Sequence, residues 1–347
     1  MDIVITSALA SFILLLLLGK IAFHVGLVDR PCGRKQHRGD TPVVGGLAMF
    51  FGMAATVAMH DLLGKIPPVL LLGSATIVAT GALDDRYGLS ARLRICIQAL
   101  VAMCTGIAMG YPVAFIDGVA SGRFELGVMA WPVTVIIAVG IFNAFNLMDG
   151  MDGLAGGMAL VAAVAVSSYS GFPELAGAKG LLALLVASLL PFLFFNLGGG
   201  GAANKIFLGD AGSVLIGYLI VWSLIESCQG ATPVMSTSDA LWVCTLPVYD
   251  TLAVMMQRIA RSASPFLPDR QHIHHLLLAL GLSKASVLGI LILLALIFML
   301  IGRVAGGVGA GFSLVSFVLM FIVYGVARWW CWHHVAQVSA RRMSRAG

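Results

Sequence analysis

Aspartates gather at a few places in an otherwise apolar chain, and their types and spacing suit metal-assisted chemistry on phosphates. Asp84 and Asp85 are adjacent in GALDDRYGLSARLR, Asp149 and Asp152 are three residues apart in NLMDGMDGL, and Asp210 lies in KIFLGDAGS. Carboxylates are hard oxygen ligands, and Mg²⁺ often uses one or two of them together with substrate phosphates. Because adjacent aspartates repel each other, a cation or a basic neighbour is expected beside the first pair.

Each aspartate taken alone could have a purely structural role. That explanation is weaker for the five aspartates taken together. Asp210 stands before an apolar run and fits a helix N-cap as well as it fits a metal ligand. Asp149 and Asp152 share a face only if their turn is helical. Asp250 differs because it lies inside an apolar run, and a structural hydrogen bond between helices is favoured for it over a part in placing the acceptor.

Basic residues that suit a diphosphate accompany the aspartates. Arg94 begins an apolar run soon after the aspartate pair, and Lys205 precedes Asp210. Arg270 stands beside three histidines and can bind phosphate through two hydrogen bonds. Phosphate contact, proton transfer or loop ordering is favoured for these histidines over zinc, since neither an HExxH pattern nor a cysteine partner accompanies them. The three are His272, His274 and His275.

The elements that position these residues are predicted to be membrane helices. Of 347 residues, 59% are hydrophobic and 11% are charged, and the mean hydropathy is +0.98. A soluble domain carries about 25% charged residues, so a single water-soluble core is excluded. Apolar runs of about 20 residues cross a bilayer, and eleven are predicted, a count left open by one. They are 3–23, 43–60, 67–83, 94–110, 130–146, 153–170, 180–197, 211–227, 239–257, 285–302 and 309–327. The fold class is an all-α polytopic membrane protein.

The positions of Lys and Arg predict the orientation. With a periplasmic N-terminus, sixteen of the 21 basic residues fall in inner segments and four in outer ones, which is a strong positive-inside bias. The C-terminus is then cytoplasmic, and the aspartate groups and the histidines all lie at the cytoplasmic face. Arg92 is best explained by this bias alone. The net charge of +5 indicates topology and anionic lipid rather than a nucleic-acid partner.

Five motifs follow one another through nearly the whole chain. They are VDRPCGRKQHRGDTPVVGG, GALDDRYGLS, FNLMDGMDGL, FLGDAGS and SPFLPDRQHIHH. At these motifs the sequence resembles the polyprenyl-phosphate N-acetylhexosamine-1-phosphate transferases, and its HIHH form is similar to the WecA-like branch. We expect one transmembrane catalytic domain over residues 1–328 and a short basic cytoplasmic tail over residues 329–347.

The resemblance also implies a role for each candidate residue. Asp210 would be a Mg²⁺ ligand with Asn146 as the second, and Mn²⁺ would be a substitute for Mg²⁺. The reacting phosphates would lie at the first aspartate pair, and the nucleotide and sugar near the second. Lys205 is placed with the substrate-binding residues, and Arg94 would neutralise phosphate charge. The donor-binding loop would be shaped by Arg270, His272, His274 and His275.

The activity implied by the resemblance is transfer of N-acetylglucosamine-1-phosphate from UDP-N-acetylglucosamine to undecaprenyl phosphate, with release of UMP. This would be the first membrane step of O-antigen or related envelope-glycan synthesis, in the bacterial inner membrane. Another UDP-N-acetylhexosamine donor, a phospho-aspartate intermediate and a homodimer are left open. The rival class is a secondary transporter, which is disfavoured because such carriers bind near the bilayer midplane and often show inverted repeats.

Overall fold

A computed structural model of the protein describes residues 2–30, 39–118, 122–171, 175–201, 204–262 and 271–343, with side chains described up to residue 335. The α-helices within these ranges are α1 Asp2–Val25, α2 Gly45–Met59, α3 Pro68–Tyr87, α4 Ala91–Met109, α5 Ala130–Met148, α6 Leu154–Ser170, α7 Gly177–Asn196, α8 Gly209–Gln229, α9 Thr237–Val243, α10 Thr245–Ala260, α11 Ile273–Ala279, α12 Lys284–Val308 and α13 Ala310–Met343. Two small sheets pair β1 Val28–Asp29 with β2 Thr41–Pro42, and β3 Phe115–Asp117 with β4 Arg123–Glu125.

The helices confirm a multi-pass membrane protein. Eight segments in the described parts of the chain, seven of them single helices and one formed by α5 with the short turn before it, are long and apolar enough to span a bilayer. The pair α9 and α10 makes a ninth if it is counted as one span, and α2 and α6 are shorter apolar helices. All eleven predicted stretches fall on these helices. The count of eleven spans and the orientation stay predictions.

The ninth predicted stretch, 239–257, is not one straight helix. It is broken into α9 and α10, whose axes differ by 83°. Pro247 lies in the first turn of α10, where it has no N–H to donate and its ring would clash with the carbonyl of Val243 in a continuous helix. The helix therefore ends at Val243 and restarts at Thr245.

The chain divides into two compact units. The first comprises Met1–Phe115 and Glu125–Met235, and α8 is its central helix, in contact with α2, α3, α5, α6 and α7. Because α8 is apolar nearly all round, it is buried on every side. Gly46 of α2 and Gly81 of α3 lie directly against the backbone at the beginning of α8, where a Cβ atom on either would overlap it.

The second unit comprises Ile116–Phe124 and Ser236–Gly347, and it is built on α9 to α13. An aromatic cluster fills it around Tyr249, whose ring centre lies 4.8 Å from that of Phe317 and 5.7 Å from that of Tyr324. The predicted division into a catalytic domain and a tail from residue 329 stays a prediction.

Candidate active site

The second aspartate of the pair in α3 holds the beginning of α8. Asp85 Oδ1 accepts a hydrogen bond from the backbone N–H of Asp210 at 3.0 Å, and its Oδ2 lies 3.5 Å from the backbone nitrogen of Ala211. The first N–H groups of a helix have no partner inside that helix, so a carboxylate from elsewhere stabilises them. The N-cap residue is Leu208, which makes no side-chain cap, and Asp210 lies within the first turn. Its carboxylate is directed to other partners.

Those partners are Arg94 and Asn146. Arg94 Nη1 donates to Asp84 Oδ2 at 2.5 Å and to Asp210 Oδ2 at 2.8 Å. Asn146 Nδ2 donates to Asp210 Oδ1 at 2.8 Å and to Ser213 Oγ at 3.1 Å. The basic neighbour expected for the aspartate pair is therefore Arg94. The ends of α3, α4, α5 and α8 meet at the Asp210 carboxylate.

A small cavity of about 10 Å³, which is room for about one water molecule, lies beside these groups. Arg94, Asn146 and Asp210 form its charged and polar wall, while Ile77 and Val214 belong to its apolar part. Polar and apolar side chains thus line one small space beside the Asp210 carboxylate.

Asp152 and Lys205 form a second ion pair in the same unit, with Lys205 Nζ 2.7 Å from Asp152 Oδ2. Their side chains are 24% and 26% exposed, so solvent reaches both charges. Asp149 and Asp152 lie in the turn between α5 and α6, and this turn is not helical. The condition under which the two would share a helical face is not met.

The environment of Asp149 raises the pKa of its carboxyl well above the usual range. Desolvation is the largest cause, and the negative charges of Asp210, Asp85 and Asp152 add to it. A carboxyl whose neighbours disfavour its ionisation is typical of functional sites. The four aspartates therefore act on one another electrostatically in the space beside α8.

Asn196, at the end of α7, holds the two acidic segments together, and sequence reasoning missed it. Its side chain is buried; Oδ1 accepts from the Gly153 N–H at 2.7 Å, and Nδ2 donates to the Ile206 carbonyl at 2.9 Å. The asparagine thus fixes the turn after Asp152 against the residue after Lys205. An asparagine that ends an apolar run was the available signal.

The motif from Thr41 onward has a related positional role. Phe207 donates its N–H to the Pro42 carbonyl at 2.8 Å, and its own carbonyl accepts from the Gly45 N–H at 3.0 Å. This short parallel bridge aligns the segment between Lys205 and Asp210 along the beginning of α2.

The predicted histidines belong to the second unit. His272 precedes α11, and His274 is buried with its ring 4.1 Å from that of His275. Burial, followed by the charge of His275, lowers the pKa of His274 to about 3, so His274 is neutral at physiological pH. Arg270 lies outside the described residues.

Comparison with known proteins decides the family. Residues 67–228 match glycosyl transferase family 4. Proteins called undecaprenyl-phosphate alpha-N-acetylglucosaminyl 1-phosphate transferase are similar over nearly the full length. Those from Escherichia coli (strain K12) and Haemophilus influenzae are each 35% identical, with 88% and 97% of this chain and 84% and 96% of the relative covered. The chain belongs to the family of these transferases. A relative from Salmonella typhi is 34% identical, with 90% of this chain and 86% of the relative covered.

The first unit contains a set of oxygen ligands whose chemistry fits a hard divalent cation. Asp84, Asp85, Asp149 and Asp210 are carboxylates, and Asn146 adds an amide oxygen, since its nitrogen is used toward Asp210. A divalent cation would relieve the repulsion that, after burial, adds to the raised pKa of Asp149. Among the described residues, no three His, Cys, Asp or Glu side chains form a ready-made metal site. The assignment of Asp210 and Asn146 to Mg²⁺ therefore stays a proposal.

Proposed function

We propose that the protein transfers N-acetylglucosamine-1-phosphate from UDP-N-acetylglucosamine to undecaprenyl phosphate and releases UMP. Relatives about 35% identical over most of the chain are undecaprenyl-phosphate alpha-N-acetylglucosaminyl 1-phosphate transferases, which supports this activity. The observation in the structure that carries it is the meeting of Asp84, Arg94 and Asn146 at Asp210, where the ends of four helices come together. The product is undecaprenyl-diphosphate-N-acetylglucosamine, the first lipid-linked intermediate of O-antigen or a related glycan.

The reaction needs little covalent help from the protein. The second pKa of a phosphate monoester is near 6, so the lipid phosphate is mostly dianionic at pH 7 and is already a nucleophile. One of its oxygens forms a bond to the sugar-linked phosphorus. The bond from that phosphorus to the bridging oxygen breaks, and UMP leaves with the electron pair. The bond between the sugar and its phosphate oxygen is kept.

The main barrier is the repulsion between two phosphate groups, and the residues of the first unit are suited to lower it. We assign to Arg94 the neutralisation of phosphate charge, because its guanidinium already bridges two carboxylates at the site. Lys205 has a compact charge that pairs with Asp152 and would bind the donor. Asp210 and Asn146 would hold Mg²⁺, or Mn²⁺ in its place, which supplies charge stabilisation when bound.

The contacts divide the proposed work of the aspartate pair. Asp85 is engaged with the N-terminus of α8, so its effect on the reaction is to position Asp210. Asp84 faces Arg94 and is the better candidate to orient the lipid phosphate. Asp149, which holds a proton more readily than an ordinary aspartate, lies close enough to sense the charge of Asp210. A proton can be held or released there as charge changes at the site.

The proposed setting is the bacterial inner membrane, crossed eleven times, with a periplasmic N-terminus and the aspartates at the cytoplasmic face. The concentration of basic residues in alternate loops supports this orientation. A homodimer remains compatible with it. Another UDP-N-acetylhexosamine is the alternative donor.

The assay uses the purified protein with Mg²⁺, undecaprenyl phosphate and a panel of nucleotide-sugars. UDP-N-acetylglucosamine is expected to give equal amounts of UMP and lipid-linked sugar, and Asp210→Ala is expected to abolish both. The proposal fails if no donor in the panel yields UMP, or if Asp210→Ala leaves the rate unchanged. A covalent adduct trapped without acceptor would indicate the two-step route instead of direct attack.

A further inference from the structure

Asp250 of α10 is completely buried and surrounded by hydrogen-bond donors. Its Oδ2 lies 2.8 Å from His272 Nδ1. Its Oδ1 accepts from the Ile273 N–H at 3.0 Å and from the Tyr324 hydroxyl at 2.9 Å. Arg328 Nε lies 3.6 Å from the same oxygen. With so many donors and a nearby cation, the carboxylate is ionised and acts only as an acceptor, so His272 Nδ1 must bear the proton.

Arg328 extends this hold to the preceding residue. It donates from Nη2 to the Gln271 carbonyl at 2.6 Å and from Nη1 to Gln257 Oε1 at 2.7 Å. Three consecutive residues, Gln271, His272 and Ile273, are therefore each fixed by Asp250 or Arg328. The side chains of His272, Asp250 and Arg328 are at most 5% exposed, so little solvent competes with these contacts.

Stability alone is a poor explanation for such a group. Burying charges costs several kcal/mol each, and well-packed apolar side chains of similar volume are often as stable. A buried ionic group is explained when it fixes the geometry of something beside it. Here the neighbour is an imidazole, whose two nitrogens become distinct once one of them is committed to a carboxylate.

We propose that Asp250, Tyr324 and Arg328 form a positioning group that holds His272 as the Nδ1-protonated tautomer and fixes the beginning of α11. Nε2 is then left unprotonated, as an acceptor for a hydroxyl or an N–H group of the nucleotide-sugar donor. This inference rests on the proposed function. It makes Asp250, which the sequence assigns to a structural bond between helices, a determinant of donor binding.

The kinetic test compares Asp250→Asn and Tyr324→Phe with Tyr249→Phe. An asparagine keeps the shape and still accepts hydrogen bonds, but its amide N–H also favours the other histidine tautomer. We expect Asp250→Asn to raise the KM for UDP-N-acetylglucosamine about tenfold and Tyr324→Phe about threefold. The KM for undecaprenyl phosphate should stay within about twofold of the wild type in both.

Tyr249→Phe is the matched control. Tyr249 is the neighbour of Asp250 in α10, and its hydroxyl also bonds to α13, at the Phe317 carbonyl, without touching the carboxylate. It should lower thermal stability about as much as Tyr324→Phe while leaving the donor KM unchanged. The inference is overturned if Asp250→Asn changes both KM values equally, or lowers only kcat.

A double variant tests whether Asp250 acts through His272. If it does, His272→Gln with Asp250→Asn should show the donor KM of His272→Gln alone. Multiplied effects would contradict the inference.

The tautomer itself is read from ¹⁵N ring shifts of histidine-labelled protein, with His272→Gln identifying the resonances. Wild-type His272 should be protonated at Nδ1, and Asp250→Asn should shift the proton toward Nε2. An unchanged tautomer would overturn the proposed role of the positioning group. This measurement needs no substrate. A wild-type protein that releases no UMP would therefore refute the proposed function, while the tautomer measurement would still test the positioning group.

Discussion

The aspartates of the first unit and Asp250 of the second unit have opposite surroundings. Asp250 is completely buried, and donors from α11 and α13 surround both its oxygens. Asp210 is 31% exposed at the side chain and Asp152 is 24% exposed. Arg94 pairs with Asp84 and Asp210 in this cluster, and Lys205 pairs with Asp152.

The difference separates two uses of a carboxylate in a membrane protein. A carboxylate that is fully satisfied inside the protein has no capacity left for a ligand, so it can act only through the groups it holds. A partly exposed cluster of carboxylates retains capacity for a cation and for a substrate phosphate bound through that cation. The following substitutions test this separation.

The largest effect is expected at Asp210. Asp210→Asn keeps the size of the side chain and removes the charge that meets Arg94 and Asn146, so kcat should fall by about 10²–10³-fold, as when one preorganised charge-stabilising group is lost. The measurement is the rate of UMP release at saturating donor and acceptor. Asp61→Asn is the control. Asp61 is exposed, has a left-handed backbone conformation and is distant in sequence from Asp210, so this variant should leave kcat unchanged. A rate loss under threefold at Asp210 would remove it from the chemistry.

A smaller loss is expected when Arg94 keeps its charge but loses its planar shape. Lysine cannot reproduce the bridge between Asp84 and Asp210, so Arg94→Lys should lower kcat/KM about 10–100-fold. Arg92→Lys, two residues earlier on the same helix and exposed, should change nothing. Equal losses in both variants would mean that general basicity of this segment, and not the bridge, matters.

Asn196 is the counterpart of Asp250 in the first unit, since it too acts through what it holds. Asn196→Ala leaves the buried Gly153 N–H and Ile206 carbonyl without this partner, at a cost of about 1–3 kcal/mol for each group. Stability to denaturant should fall, and the donor KM should rise several-fold as Lys205 loses its support. Asn204→Ala, at an exposed site nearby, is the control. Unchanged stability in Asn196→Ala would refute the bridging role.

The smallest effect concerns the pH dependence of stability. The pKa of Asp149 is raised, so its favourable contribution is complete below the ordinary aspartate value and is lost as pH rises through the higher folded value. In EDTA at pH 8, Asp149→Asn should therefore melt a few degrees above the wild type, and the two should converge near pH 4. Adding Mg²⁺ should raise the Tm of the wild type more than that of the variant. If Asp149→Asn is less stable than the wild type at every pH, ionised Asp149 does not destabilise the fold as proposed.

The sequence predicts much of the helical content and the grouping of acids because both depend on local patterns. Apolar runs mark the helices, and aspartates at the ends of alternate runs are expected on one side of a membrane. The pairing of Arg94 with the aspartates follows from the repulsion between Asp84 and Asp85. The break before α10 had a local cause in Pro247, which the apolar composition of 239–257 concealed.

Contacts between distant segments could not be predicted from those patterns. Asp85 stabilises the beginning of α8 from 125 residues away, and Asn196 joins two loops that neither its neighbours nor its spacing connects to it. The role of Asp250 depends on partners from α11 and α13 that approach only after folding. Each case is a tertiary contact. The residue types involved are common elsewhere in the chain, so their presence alone does not identify the partners.

The most direct test of the central claim is the fate of the sugar-linked phosphorus. Purified protein is incubated with undecaprenyl phosphate, Mg²⁺ and UDP-N-acetylglucosamine labelled at that phosphorus, and the label is followed into lipid and aqueous phases. The label is expected to enter the lipid in step with release of unlabelled UMP, and Asp210→Asn is expected to suppress the transfer while Asp61→Asn does not. Label retained in released UDP, or equal transfer in the two variants, would contradict it.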